Sequence, residues 1–230
     1  MSEFKSLPWL QDNFDKLAEL ESTQQIGHAY LIQGQKGLGK ESLVRDFSTY
    51  LFCQQNQEQA ACGHCQACHL LSAGTHPDFK FITVEEGATQ IKIEQIRDSR
   101  NFLANTPLLG KYKILFINFA DKMNINAANA LLKNLEEPAP DTLIFLLSHQ
   151  PVLLLPTIRS RCQKIKISRP SEEIALSWLQ QHMNNDQAKL CLQLAFGAPL
   201  QALIFADEER QHERREIQKR LLELLRSEIV

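Results

Sequence analysis

Four cysteines, Cys53, Cys62, Cys65 and Cys68, fall within one short stretch at the spacing C-x8-C-x2-C-x2-C. Four thiolates fill the tetrahedral shell of zinc, and the x2 spacings let a tight turn offer several sulfurs to one ion. Gly63 and the polar tract 54–59 suit the loop that such a site needs. His64 and His69 are rival ligands, but four cysteines already close the shell and leave no position for a reactive water. The cluster therefore reads as structural zinc, against the alternatives of buried free thiols, a redox pair or an iron–sulfur cluster. Cys162 and Cys191 stand apart and read as small buried hydrophobes.

A second constellation, Gly34-Gln35-Lys36-Gly37-Leu38-Gly39-Lys40-Glu41-Ser42, fits the phosphate-binding pattern G-x-x-x-x-G-K. Gly34 and Gly39 would let backbone amides turn inward on a phosphate, and the helix that follows would add its dipole. Lys40 would touch the outer phosphates. Glu41, however, stands where a Ser or Thr ligates magnesium, and it places negative charge where phosphate would sit. Nucleotide binding at Gly34, Gly39 and Lys40 is thus in balance with a ligand-free glycine turn. Hydrolysis also needs acids after a later core strand, one for magnesium and one to activate water. That strand, from Ile114 to Asp121, reads ILFINFAD. Asn118 and Phe119 occupy the two acid positions, Asp121 lies too far along to replace them, and Asn118 is expected to cap the next turn. No intrinsic ATPase is expected.

A third group, Pro156-Thr157-Ile158-Arg159-Ser160-Arg161-Cys162, precedes a short strand. Arg161 there could neutralise phosphate charge on a neighbouring subunit, the role of an arginine finger supplied in trans. Taken alone, it would read as a solvated or salt-bridged surface residue.

The scaffold that must hold these groups is legible in the pattern of apolar residues. A helix is expected from about Leu7 to Leu20. The strand His28–Gln33 runs into the glycine loop, and Lys40–Phe52 reads as the next helix. Further strands are expected at Phe79–Thr83, Tyr112–Asn118, Thr142–Leu147 and Gln163–Ile167, with helices at about Ile91–Leu103 and Asn124–Leu135. Near-continuous apolar runs in two of these strands indicate a parallel sheet covered on both faces. Strands alternating with helices place the chain in the α/β class. After Arg169-Pro170, Ser171-Glu172-Glu173 has the look of a helix start, and the remainder is helical with one break at Gly197-Ala198-Pro199. A charged helix with an apolar stripe is expected over about 207–229.

The ensemble HAYLIQGQKGLGKE, the cysteine insert, Gly74-Thr75-His76-Pro77-Asp78, NALLKNLEEP and Ser160-Arg161-Cys162 resembles the AAA+ clamp-loader family of bacterial DNA polymerase III, and within it the delta-prime group. The likeness runs from about residue 1 to 210. It implies a RecA-like AAA+ P-loop domain with a parallel sheet and a zinc-binding insert at 53–68, covering 1–168. A small all-helical lid would follow at 169–207, and the start of a C-terminal helical collar at 208–230. It implies an ATPase-inactive stator whose Arg161 reaches the ATP of an adjacent gamma/tau subunit. Leu200 would stand where an active relative has a nucleotide-sensing arginine. The implied partners are gamma/tau and delta subunits, with the sliding clamp and primed DNA met through the assembled complex. Lys40 is retained, which keeps weak ATP binding open.

Two other readings compete. An active gamma/tau-type ATPase would need the acids that Asn118 and Phe119 replace. A zinc-dependent nucleic-acid-binding module could use Lys164, Lys166 and Arg169, but a net charge of −2 over 230 residues gives no overall basic footprint. The start of the chain lacks the pattern of a secretory signal, and no apolar run is long enough to span a bilayer. A cytoplasmic protein without membrane contact is the expectation, and in that compartment clustered cysteines bind metal more often than they pair.

Overall fold

The computed structural model describes residues 7–55 and 60–206. Contacts divide the chain into a larger unit, up to Gln35 and Gly39–Ser168, and a smaller one made of Lys36–Leu38 and the residues from Arg169 onward.

The larger unit alternates helices and strands. A short 3-10 turn at Pro8–Leu10 leads into α1 (Gln11–Ser22), then β1 (Ala29–Gln33), α2 (Lys40–Phe52), α3 (Gln66–Ser72) and β2 (Phe79–Ile82). There follow α4 (Ile93–Ala104), β3 (Lys113–Ile117), α5 (Ile125–Glu136), β4 (Thr142–Ser148), α6 (Pro156–Arg161) and β5 (Gln163–Lys166). The five strands form one sheet in the order β2-β3-β4-β1-β5, and every pairing is parallel. Each expected strand is present, with ends moved by a residue or so. The helix α2 begins and ends where its pattern predicted.

Burial explains the order. β3 and β4 are buried at every position, as strands covered on both faces must be. One face packs Leu31, Leu115, Ile117, Ile144 and Leu146 against Ile96 and Leu103 of α4, Leu131 and Leu135 of α5, and Ile158 of α6. The opposite face stacks Tyr30 on Phe145 with ring centroids 5.6 Å apart. Phe47 of α2 meets the edge of Phe145, and Phe14 of α1 meets Phe47. β5 is an edge strand, and its Lys164 and Lys166 are exposed, so their alternation with Ile165 reflects a strand wetted on one side.

Two short helices did not stand out in the sequence, α3 inside the cysteine insert and α6 just before Cys162. Both are under eight residues, too short for a 3.6-residue period to emerge.

The stretch Gly74–Asp78 also has a structural role. Asp78 is fully buried and accepts the backbone N–H groups of Leu108 (2.8 Å), Leu109 (2.7 Å) and Gly110 (3.0 Å), which fixes the turn into β3. The Lys113 ammonium, itself buried, sits 2.9 Å from the same carboxylate. Gly110 is needed because a Cβ there would lie 2.5 Å from the Phe52 ring.

The smaller unit packs α7 (Glu172–Leu179), α8 (Asn185–Leu194) and α9 (Pro199–Ala206) around Trp178, Leu179, Cys191, Leu192 and Ala202. Ser171 caps α7 by accepting the Ile174 N–H, as its position after Pro170 suggested, and Asn184 caps α8. Within this unit the Leu200 N–H donates to Gly37 O at 3.1 Å. No single helix among the described residues is long and apolar enough to cross a membrane. The helix expected over 207–229, the collar segment 208–230 and residues 56–59 of the cysteine loop lie outside the described residues.

Burial alone would push the Asp78 carboxyl up, but the N–H groups of Leu109 and Leu108, the Lys113 ammonium and the Gly110 N–H outweigh it and hold it at about 2. A folded value below the unfolded one, roughly 4, means that its contribution is complete above about pH 4 and is lost as pH falls through about 2. Asp78→Asn should therefore lower the unfolding free energy at pH 7 by about 3–5 kcal/mol, since it leaves Lys113 buried without its counter-charge. Urea unfolding at pH 7 and across pH 4 to 2 checks this; the variant should lose less stability than wild type over the acid range.

Candidate functional site

Parallel strands deliver all their carboxyl ends to one edge of the sheet. The register pairs Gln33 with Ser148 and Ile117 with Leu146, so the loops after β1, β3 and β4 meet there. The first is the glycine loop. Gly34 lies so close to β5 that a Cβ would stand 2.6 Å from Ile167 O, and Gly39 adopts the left-handed conformation (φ 79°) that lets α2 begin at Lys40. Lys40 is buried, and its ammonium donates back to Gln35 O at 2.6 Å. Burial lowers its pKa to about 8, with the nearby Asp121 carboxylate pulling the other way.

Glu41 Oε2 accepts a hydrogen bond from Asn118 Nδ2 at 2.8 Å, and Glu41 Oε1 accepts one from Arg45 Nε at 2.8 Å. Asn118 does not cap the 3-10 turn that follows at Ala120–Lys122, which begins after Phe119 without a side-chain cap, so the expected capping role is not what Asn118 does. Its Oδ1 accepts the Phe119 N–H at 3.0 Å while its amide reaches across to α2. Phe119 has φ +56°, a left-handed conformation costly for a side chain with a Cβ, and its ring meets His149 edge-on at 5.3 Å. Asp121 braces the next loop: its Oδ1 accepts Ser148 Oγ at 2.5 Å and the His149 N–H at 3.1 Å. The two positions after β3 therefore present an amide and a phenyl ring. Of the acids beside them, Glu41 is engaged by two side-chain donors, and Asp121 by a side-chain hydroxyl and a backbone N–H.

The second group lies at the other end of α2. Cys53 follows its last residue, Cys65 immediately precedes α3, and Cys68 is in the first turn of α3. The sulfurs of Cys53, Cys62, Cys65 and Cys68 all lie within 4.8 Å of one another. Tetrahedral zinc–thiolate bonds of 2.3 Å would set the sulfurs about 3.8 Å apart, so a small contraction around an ion suffices. Backbone N–H groups already point at sulfur: Gln55 and Cys62 donate to Cys53, at 3.4 and 3.2 Å, and Cys65 donates to Cys62 at 3.4 Å. Burial pushes Cys65 up, but the N–H groups of Cys68 and Gln54 and the thiols of Cys68 and Cys62 outweigh it and lower it, while burial and the contact with Cys65 raise Cys68. His64 and His69 are exposed and stay outside the cluster. The donor set fits a metal held by four cysteines and closed to substrate.

The third residue, Arg161, ends α6. Its Nη1 donates to Thr157 O at 2.9 Å in the last turn, and its Nη2 pairs with Glu136 Oε1 at 2.8 Å. Cations are favoured at helix C-termini. The side chain remains 36% exposed, and its partner 47%, so the ion pair is worth at most about 1 kcal/mol. Because Tyr30 pairs with Gln163 and Gln33 with Lys166, Arg161 lies toward the amino edge of the sheet. The glycine loop lies at the carboxyl edge, roughly 20 Å away at about 3.3 Å per strand residue. Arg161 and Lys40 thus do not share a site in this chain. Leu200 sits in the first turn of α9, and Arg169 is engaged with Phe196 O at 3.1 Å.

An all-parallel five-stranded sheet, a phosphate-type loop at its carboxyl edge and a small helical unit define a RecA-like α/β protein, here with a four-cysteine insert. Solved structures share the fold. They include a DNA polymerase III gamma subunit-related protein from Thermotoga maritima, with TM-score 0.57, 21% identity and coverage of 84% of this chain and 59% of that one. The RuvB Holliday junction branch migration motor of the same organism aligns with TM-score 0.53 and 16% identity over 87% of this chain and 62% of that one. The family model described as DNA polymerase III, delta subunit, matches residues 10–171. DNA polymerase III subunit delta' of Pseudomonas aeruginosa is 39% identical over 225 residues, 96% of this chain and 68% of that protein. Its counterpart in Escherichia coli K12 is 38% identical over 198 residues, 85% of this chain and 59% of that protein. The chain belongs to the DNA polymerase III delta-prime family. It spans roughly two thirds or less of the length of these curated relatives.

The purified chain should carry about one equivalent of thiolate-bound metal. Cys62→Ser should abolish it and lower the melting temperature of the insert-bearing unit. Elemental analysis with thermal melts checks both, and freshly prepared wild-type protein free of metal would refute the assignment.

Proposed function

We propose that this chain is the ATPase-inactive delta-prime subunit of a DNA polymerase III clamp loader. It acts in the cytoplasm as a non-catalytic stator that helps place the sliding clamp on primed DNA. It works beside gamma/tau and delta subunits, and Arg161 serves as an arginine finger for the ATP held by a neighbouring gamma/tau subunit. Residues 1–168 form the AAA+ domain and 169–207 the helical lid. Cys53, Cys62, Cys65 and Cys68 hold structural zinc, which braces the insert against α2 and takes no part in chemistry. Gly34, Gly39 and Lys40 keep the shape of a phosphate loop without a magnesium site.

The observation that carries this reading is the division of charge between the two edges of the sheet. At the carboxyl edge Asn118 and Phe119 stand where a hydrolase needs acids, and Glu41 is bonded to Asn118 itself. At the amino edge a guanidinium is presented on the end of a short helix, where it bonds to its own helix and to a half-exposed glutamate. An arginine so placed cannot serve its own loop, but it can serve one on an adjoining protein.

Reconstitution tests the assignment. The isolated chain should hydrolyse no ATP with magnesium and primed DNA. Arg161→Ala should fold and assemble with gamma/tau and delta like wild type, yet reduce turnover at the neighbouring site toward the thousandfold or greater loss typical of a missing finger. Wild-type turnover by a loader containing Arg161→Ala, or robust hydrolysis by the isolated chain, would overturn it.

A further inference from the structure

The glycine loop departs from its motif at one residue, and that residue is bonded to another departure 77 positions away. In a working phosphate loop the hydroxyl at position 41 and an acid after the third strand share a magnesium ion, and so are joined only through it. Here the same two positions are joined directly. Asn118 Nδ2 donates to Glu41 Oε2 at 2.8 Å, the carboxylate's other oxygen accepts Arg45 Nε at 2.8 Å, and the Arg45 guanidinium lies 4.5 Å over the Phe81 ring of β2. Asn118 is 95% removed from solvent, while the Glu41 side chain keeps 42% of its surface exposed. The ammonium of Lys40 is turned onto Gln35 O.

We propose that Glu41 and Asn118 form a built-in substitute for the divalent cation. The pair ties the start of α2 to the end of β3 without any ligand, and keeps the loop closed to nucleoside triphosphate. Loss of nucleotide binding is then an act of self-ligation. The residues of the cradle persist, since Gly34, Gly39 and Lys40 are all present and α2 still begins at Lys40. The carboxylate of Glu41 repels an incoming phosphate, and Asn118 offers an amide where magnesium needs an anionic oxygen. Arg45 serves as a positioning residue, holding Glu41 toward β3. This inference rests on the reading of the site as inactive, and goes on to name what inactivates it.

The test returns the two positions to those of a working loop. Glu41→Thr with Asn118→Asp should gain magnesium-dependent binding of a fluorescent ATP analogue, at least tenfold tighter than wild type. Its melting temperature should rise by about 5–10 °C when magnesium–ATP is present at a hundredfold over its Kd, while wild type at the same ligand concentration should shift by about half as much or less. Turnover should remain absent because Phe119 is unchanged. Should the double variant fold poorly, Asn118→Asp alone is informative. It sets two carboxylates against each other across the former bond, so it should melt below wild type at pH 7 and be restored by Glu41→Gln. Wild type binding magnesium–ATP as tightly as the double variant would overturn the proposal, as would stability effects at 41 and 118 that simply add. Neither result bears on Arg161, whose assay reads turnover on another subunit.

Discussion

Five strands running in one direction must bring all their carboxyl ends to one edge and all their amino ends to the other. That constraint governs the molecule. β1, β3 and β4 are buried in the middle of the sheet and cannot shift without exposing Leu31, Phe116 or Phe145. The loops after them are therefore held in fixed relation, which is why Lys40, Glu41, Asn118, Asp121 and Ser148 meet although they come from three parts of the chain. The same constraint places Arg161, just before β5, toward the opposite edge. Separation of the arginine from the phosphate-type loop is a property of strand direction, and no local substitution would bring the two together.

At the carboxyl edge the polar groups satisfy one another. Glu41 takes Asn118 and Arg45, Asp121 takes Ser148 Oγ and the His149 N–H, and Lys40 takes Gln35 O. A hydrolase must leave such groups poised for ligand and metal, at a cost in stability of the free protein. Here those demands are met internally, and the loop behaves as part of the scaffold. Even the strained Phe119 contributes, since its conformation turns the ring toward His149.

Helix α2 connects the two chemically distinctive regions. The phosphate-type loop opens it and Cys53 follows its last residue, so thirteen helical residues, about 20 Å of rigid rod, separate the loop from the cysteine cluster. Phe47 anchors the rod to the sheet through its edge contact with Phe145. A metal gathered by the four sulfurs would stiffen the far end of the same helix that the Glu41–Asn118 bond secures at its near end.

Much of this was legible in the residues alone. The bounds of α2, the buried character of β3 and β4 and the four-cysteine set are local properties, carried by a glycine motif, by apolar runs and by spacing along a few residues. The same holds for the missing acids, since the end of a buried strand can be read from its own sequence. What lay beyond reach were the pairings. Glu41 finds Asn118, Asp78 takes the N–H groups of residues 108–110, and Arg161 meets Glu136, each across 25 or more positions. Those contacts depend on which strands lie side by side, and neighbours in a sheet are chosen by how whole helices cover its faces. The residue types decided which chemical groups the chain carries; packing decided which of them meet across the sheet.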